Sequence, residues 1–216
     1  MSLRYPVRLV RFVLALFVGL AVSALAPRLA TAGVSSANGP DDGYAGNPPD
    51  YDDCTSCHNS HAVNSGAGGV QLLNLPPAFV PGNSYDLLVR LYDPNPLRKK
   101  WGFELTVLGA SAQQAGELVA LDVVETQVSD NPGSFPDYIK HTYDGTHDNA
   151  PSPSTWTIRW IAPNLPSVTF YLAGNAADWS DDPADDYIYT TTAYLPQAAT
   201  ATQQGSWGKI KALYIP

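Results

Sequence analysis

The chain has 216 residues, with 12 Lys+Arg against 20 Asp+Glu and a formal net charge of −8. That length suits about one folded domain plus flanking segments, and an acidic surface repels phosphate backbones, which excludes nucleic acid as a partner. The composition is rich in Gly, Pro, Thr and aromatics and poor in long helical patterns.

At the N-terminus Arg4, Arg8 and Arg11 form a basic region, and Phe12 to Ala26 is an apolar core too short to span a membrane comfortably. Ala30-Thr31-Ala32 then reads as an A-x-A cleavage signal. Residues 1–32 are therefore expected to be a signal peptide, with an uncleaved anchor helix as the alternative. Its removal takes away four of the 12 Lys+Arg and none of the 20 Asp+Glu, so the charge goes from −8 to −12. No later stretch is long and apolar enough to span a membrane, so no transmembrane anchor is expected after cleavage. The expected destination is the periplasm, the cell surface or the extracellular space.

Residues 33–49 (GVSSANGPDDGYAGNPP) are polar, Gly/Pro-rich and without period, and read as a flexible leader. Residues 50–67 hold both cysteines of the chain in Cys54-Thr55-Ser56-Cys57-His58, with His61 close behind. From residue 68 to 195 the pattern is β. Tyr85, Leu87, Val89 and Leu91 alternate with Asp86, Leu88 and Arg90; Phe103, Leu105 and Val107 alternate with Glu104 and Thr106. Trp156, Ile158 and Trp160 alternate with Thr155, Thr157 and Arg159, and Val168, Phe170 and Leu172 continue the theme. Period two sends one set to a buried face and the other toward solvent. Turn signals at Pro81-Gly82-Asn83, Asp93 to Pro96, Asn131-Pro132-Gly133 and Pro163-Asn164 separate the runs. The expected fold is all-β, an antiparallel β-sandwich with its Trp and Tyr residues in or near the core. Residues 196–216 read as a linker and a short basic-aromatic tail.

Four chemistries compete for the cysteines. A thioredoxin-like redox pair needs a strand-to-helix context in an α/β fold, whereas here loop is followed by β. A zinc site needs a second ligand pair; no other cysteine exists, and His141 and His147 are six apart in a loop. A disulfide across two residues closes a tiny loop and stabilises little. The fourth is covalent haem c attachment through C-x-x-C-H: Cys54 and Cys57 bond the haem edge, and His58 becomes the proximal iron ligand. Export favours this last chemistry, which is the preferred expectation.

The stretches CTSCH, LPPAFVPGNSYDLLV, WGFEL, YIKHT, TWTIRWIAP, VTFYLAGNAAD and DDYIYTTT follow one another in this order. Together they resemble the bacterial Reeler-like domain labelled choice-of-anchor V, over about residues 50–195. The resemblance implies an immunoglobulin-like β-sandwich on an exported or surface protein, with a C-x-x-C-H motif near the start of the domain. Two departures stand out. No C-terminal anchor is recognisable, and the loop Asp178 to Asp186 is more acidic than the usual Gly/Asn-rich stretch. Its five aspartates offer hard oxygen ligands for calcium, although their spacing is not that of an EF-hand.

The only methionine is Met1, so a mature chain cannot supply a methionine to the iron's sixth position, and a low-potential haem is expected. His141, in YIKHT, is the first candidate for the distal ligand, with a hydrogen-bonding role at a strand end as its alternative. His147 is the second candidate. His61 lies too close to His58 to round the macrocycle, and suits the haem of a neighbouring molecule instead. An amine, water, an open position or a ligand from another molecule completes the set. The expected function is an exported mono-haem cytochrome that transfers electrons rather than an enzyme, with redox partner proteins that carry positive charge. Longer conduction would need partners or self-assembly. A surface adhesion or scaffold domain with a structural haem or disulfide is the alternative, and an open sixth position would allow peroxidase-like chemistry.

Overall fold

The structure, a computed structural model, describes residues 37–129, 135–180 and 182–199. The expected signal peptide, the Asn131-Pro132-Gly133 turn and the tail from residue 200 onward lie outside the described residues. Among the described residues, nine strands make two antiparallel sheets. One has the order β1 (Gly69–Leu73), β2 (Ser84–Tyr92), β7 (Ser154–Ile161), β4 (Glu117–Ala120). The other has the order β5 (Thr126–Ser129), β6 (Tyr138–His141), β3 (Lys100–Leu108), β8 (Ser167–Ala177), β9 (Tyr187–Pro196). The expected β-sandwich is therefore present.

The alternation read in the sequence builds the core between the sheets. Leu87, Val89 and Leu91 of β2 and Trp156, Ile158 and Trp160 of β7 face Phe103, Leu105 and Val107 of β3 and Val168, Phe170 and Leu172 of β8, all buried. Trp160 packs edge-on against Phe79 and Phe170, with ring centroids 5.3 and 5.0 Å away. Its indole N–H donates to the Ala115 carbonyl at 2.9 Å, so this bulky buried side chain leaves no polar atom stranded.

One expectation is corrected. Glu104 and Thr106, on the alternate face of β3, do not point toward solvent: both are fully buried. The cover comes from the residues read as a flexible leader. Asn38, Pro40, Asp42, Tyr44 and Asn47 bond to side chains of β3, β5 and β6. Ala45 bridges to Asp53, which carries the segment on into the cysteine motif. The five-stranded sheet is thus covered on both faces around β3.

Trp160→Ala removes a fully buried ring and is expected to cost roughly 3–5 kcal/mol. Denaturant unfolding of the variant beside the parent measures it, and a loss below about 1 kcal/mol would contradict the packing described.

Candidate functional site

Cys54–Ser56 forms a single 3-10 turn. The Asp53 carboxylate accepts the Thr55 N–H at 2.7 Å, which caps the turn. The Cys57 and His58 N–H groups both point to the Cys54 carbonyl, at 3.3 and 2.9 Å. A turn closed in this way puts residues three and four apart on one side. The two thiols are not joined to each other; Cys54 is half-buried and Cys57 exposed. Burial, then the neighbouring Glu104 and Asp53 carboxylates, push the Cys54 thiol far above its usual range. Such a thiol stays protonated at neutral pH, the opposite of the low-pKa attacking thiol of a redox pair.

His58 sits against the loop before β9. Its Nδ1 is 2.6 Å from Asp186 Oδ2, and Asp186 is buried. A carboxylate only accepts, so Nδ1 carries a proton, and in the neutral imidazole Nε2 is the nitrogen with the lone pair. Asn175, on β8, donates its amide to the same Asp186 oxygen at 3.1 Å and lies 3.2 Å from His58 Nδ1. Asp186 Oδ1 and Asn175 Oδ1 are buried without a hydrogen-bond partner among the described residues.

His61 pairs with the preceding residue of the same loop, its Nε2 lying 2.8 Å from Asp185 Oδ1. Its ring stacks on Tyr187 at 4.0 Å. The buried Arg98 lies over that tyrosine ring at 4.8 Å and 3.6 Å from Asp185. The acidic loop therefore anchors two histidines and an arginine. Asp178 and Asp182 bond to Ser180 and Ala184 within the loop, and Asp181 lies outside the described residues. Among the described residues, no three His, Cys, Asp or Glu side chains converge on a metal-sized site.

His141 ends β6, and its side chain continues the strand's role. Its Nδ1 lies 3.0 Å from the Phe103 nitrogen and 3.1 Å from the Phe103 carbonyl oxygen. The ring fills the space over Gly102, where an added Cβ would come within 2.6 Å of it. Gly102 is the register partner of Asn175, the residue that touches His58. His58 and His141 thus flank one cross-strand pair. Burial foremost, then the charges of Lys140, His147 and His58, lower the His141 pKa to about 4, which keeps the imidazole neutral. His147 has both nitrogens engaged, Nδ1 with Ser154 Oγ at 2.9 Å and Nε2 with Glu125 Oε1 at 3.4 Å, and it stacks on Trp156.

Glu104 lies beneath the segment that leads into the motif, near enough for its charge to act on Cys54. Its Oε2 accepts the Tyr44 N–H at 2.7 Å; its Oε1 is buried with no hydrogen-bond partner among the described residues. Desolvation outweighs the Tyr44 and Gly43 N–H groups and the Lys140 ammonium and raises its pKa to about 8. Asp186, Asn175, Arg98 and Glu104 escaped the sequence reading. For Asp186 the only trace was the acidic run, and for Glu104 the polar slot in an apolar strand.

No protein-family model matches the chain, and no curated protein matches it. Among solved structures, the Reelin-N domain of F-spondin is 18% identical with a TM-score of 0.45, covering 67% of this chain and 97% of that one. A human F-spondin reeler domain is 18% identical with a TM-score of 0.43, covering 64% and 95%. A cohesin module from a Clostridium perfringens family 33 glycoside hydrolase is 8% identical with a TM-score of 0.41, covering 62% and 98%.

Glu104 has consequences for stability without any ligand. The folded carboxyl keeps its proton up to about pH 8, whereas the unfolded one loses it near 4.5. Between those values the native state binds more protons, so stability is full below about 4.5 and is lost as pH rises through about 8. Glu104→Gln is expected to remove that decline, worth about a few kcal/mol. Parallel denaturant titrations of the parent and the variant at pH 5 and pH 9 check it.

Proposed function

We propose that the chain is an exported, Reeler-like mono-haem c-type cytochrome that transfers single electrons. The observation that carries this reading is the Cys54–His58 turn. It offers two unpaired thiols three residues apart and an imidazole whose Nδ1 is held by a buried carboxylate and whose Nε2 has only the Asn175 amide, at a long 3.5 Å, for iron to displace. This donor set fits a haem c: thioethers at Cys54 and Cys57, and His58 as proximal ligand. The haem, when bound, supplies the one-electron chemistry, and the chain supplies ligands, orientation and electrostatics.

Each residue then has a definable task. The Asp53 cap and the Cys54 carbonyl hold the motif in one turn. Asp186 fixes the tautomer and direction of His58 and makes Nε2 a stronger electron donor; Asn175 steadies the carboxylate. A more basic proximal ligand stabilises the oxidised iron, which adds to the low potential expected without a methionine. His141 is the proposed distal ligand, since its Nδ1 is engaged by the β3 backbone and its Nε2 is not. His147 suits the role less, because both its nitrogens are committed. His61 remains a candidate ligand toward a neighbouring molecule. The acidic surface suits positively charged redox partners.

Expression with a signal peptide in a host that attaches haem c tests the reading. Colour that survives denaturation and acid-acetone extraction is expected. A correctly exported, colourless protein would overturn it in favour of an adhesion or scaffold domain. Asp186→Asn is expected to raise the midpoint potential of the attached haem, read by redox titration. His141→Ala is expected to convert a low-spin site into one that binds carbon monoxide; an unchanged spectrum would return His141 to a structural role.

A further inference from the structure

Glu104 is an anomaly that the proposed electron transfer does not use. It is fully buried, one of its oxygens has no hydrogen-bond partner among the described residues, and the segment that covers it leads into the Cys54 turn. Its link to that turn is short: Tyr44 donates to Glu104, Ala45 bridges to Asp53, and Asp53 caps the turn that begins at Cys54. Its charge acts directly on Cys54.

The groups around it are few. From β6 come Lys140, which faces it across the ladder, and Tyr138. Lys140 is shared with Asp42 at 2.7 Å and with the Pro40 carbonyl, so its ammonium is not devoted to Glu104. From the covering segment come Asp42, the Gly43 and Tyr44 N–H groups, and Cys54. On β8 its register partner is Ala173, which is apolar and buried. A charge in such surroundings is costly, and nearby charges act on it with little screening.

We propose that Glu104 is a proton site coupled to the electron carried at Cys54–His58. This rests on the haem reading above. On reduction, one electron enters from a redox partner protein and one proton from water joins a Glu104 carboxylate oxygen; on oxidation both leave. The two charges cancel, so the buried site keeps its net charge through the cycle. An added electron nearby makes a carboxylate harder to sustain, and this sets the direction of the coupling. The titration of Glu104 near pH 8 puts the exchange within reach of ordinary conditions.

The test is the midpoint potential of the haem-loaded full chain from pH 6 to 10, for the parent and for Glu104→Gln. The parent potential is expected to fall as pH rises through the Glu104 titration and to level off on either side. Glu104→Gln is expected to keep the haem and lose that slope. A potential independent of pH in the parent, or a slope that survives in Glu104→Gln, overturns the proposal while leaving the cytochrome reading intact. A colourless protein overturns both. Should the variant fail to fold, the reduced-minus-oxidised infrared spectrum of the parent decides. A carbonyl band of a buried carboxylic acid that grows on reduction supports coupling, and its absence sinks it.

Discussion

The site depends on residues 38–58 lying across the outer face of the five-stranded sheet. The cover is held by polar contacts rather than by an apolar stripe: Lys140 to Asp42, the Tyr44 N–H to Glu104, and the Asn47 amide to the Tyr138 hydroxyl. Each spans 60 or more residues of sequence. Without them the Cys54–Ser56 turn would have no fixed position over β8, and His58 would have no reason to meet Asp186. The same cover makes β3 a strand buried on both faces and forces Glu104 and Thr106 into an interior that their neighbours in sequence do not announce.

The acidic surface is not uniform in its consequences. Exposed carboxylates such as Asp86, paired with Arg159 at 2.7 Å, give long-range charge and little stability. Asp186 and Glu104 carry the same formal chemistry in a medium where water does not share the load. One faces an imidazole and orients it; the other faces Ala173 and a shared lysine, and holds its proton. Position relative to the covering segment, not residue type, separates decoration from machinery.

The sheets were legible because β2, β3, β7 and β8 are long enough for period two to show, and their apolar residues form the core that the period implies. The short strands β4 and β5, four residues each, carry too little pattern to register. The cover was illegible for a different reason. Its contacts use backbone groups and short polar side chains, and Gly/Pro-rich sequence without period looks the same whether it docks or not. Cys54, Cys57 and His58 could be picked out because the motif is contiguous. Their supporting residues could not, since Asn175 and Asp186 stand 117 and 128 residues away from His58. The acidic run suggested solvent or calcium; the structure turns its last two aspartates toward histidines.

That separation also orders events in time. The covering segment comes first from the ribosome and meets its last partner, Asp186, only when β8 and the loop before β9 exist. Closing so long a loop is slow compared with pairing neighbouring strands. Until Asp186 is in place His58 lacks the partner that fixes it, and the Cys54–His58 stretch is accessible from solvent. A group bonded to both thiols would reach Cys54 most readily in that interval, before the half-buried member of the pair goes under cover.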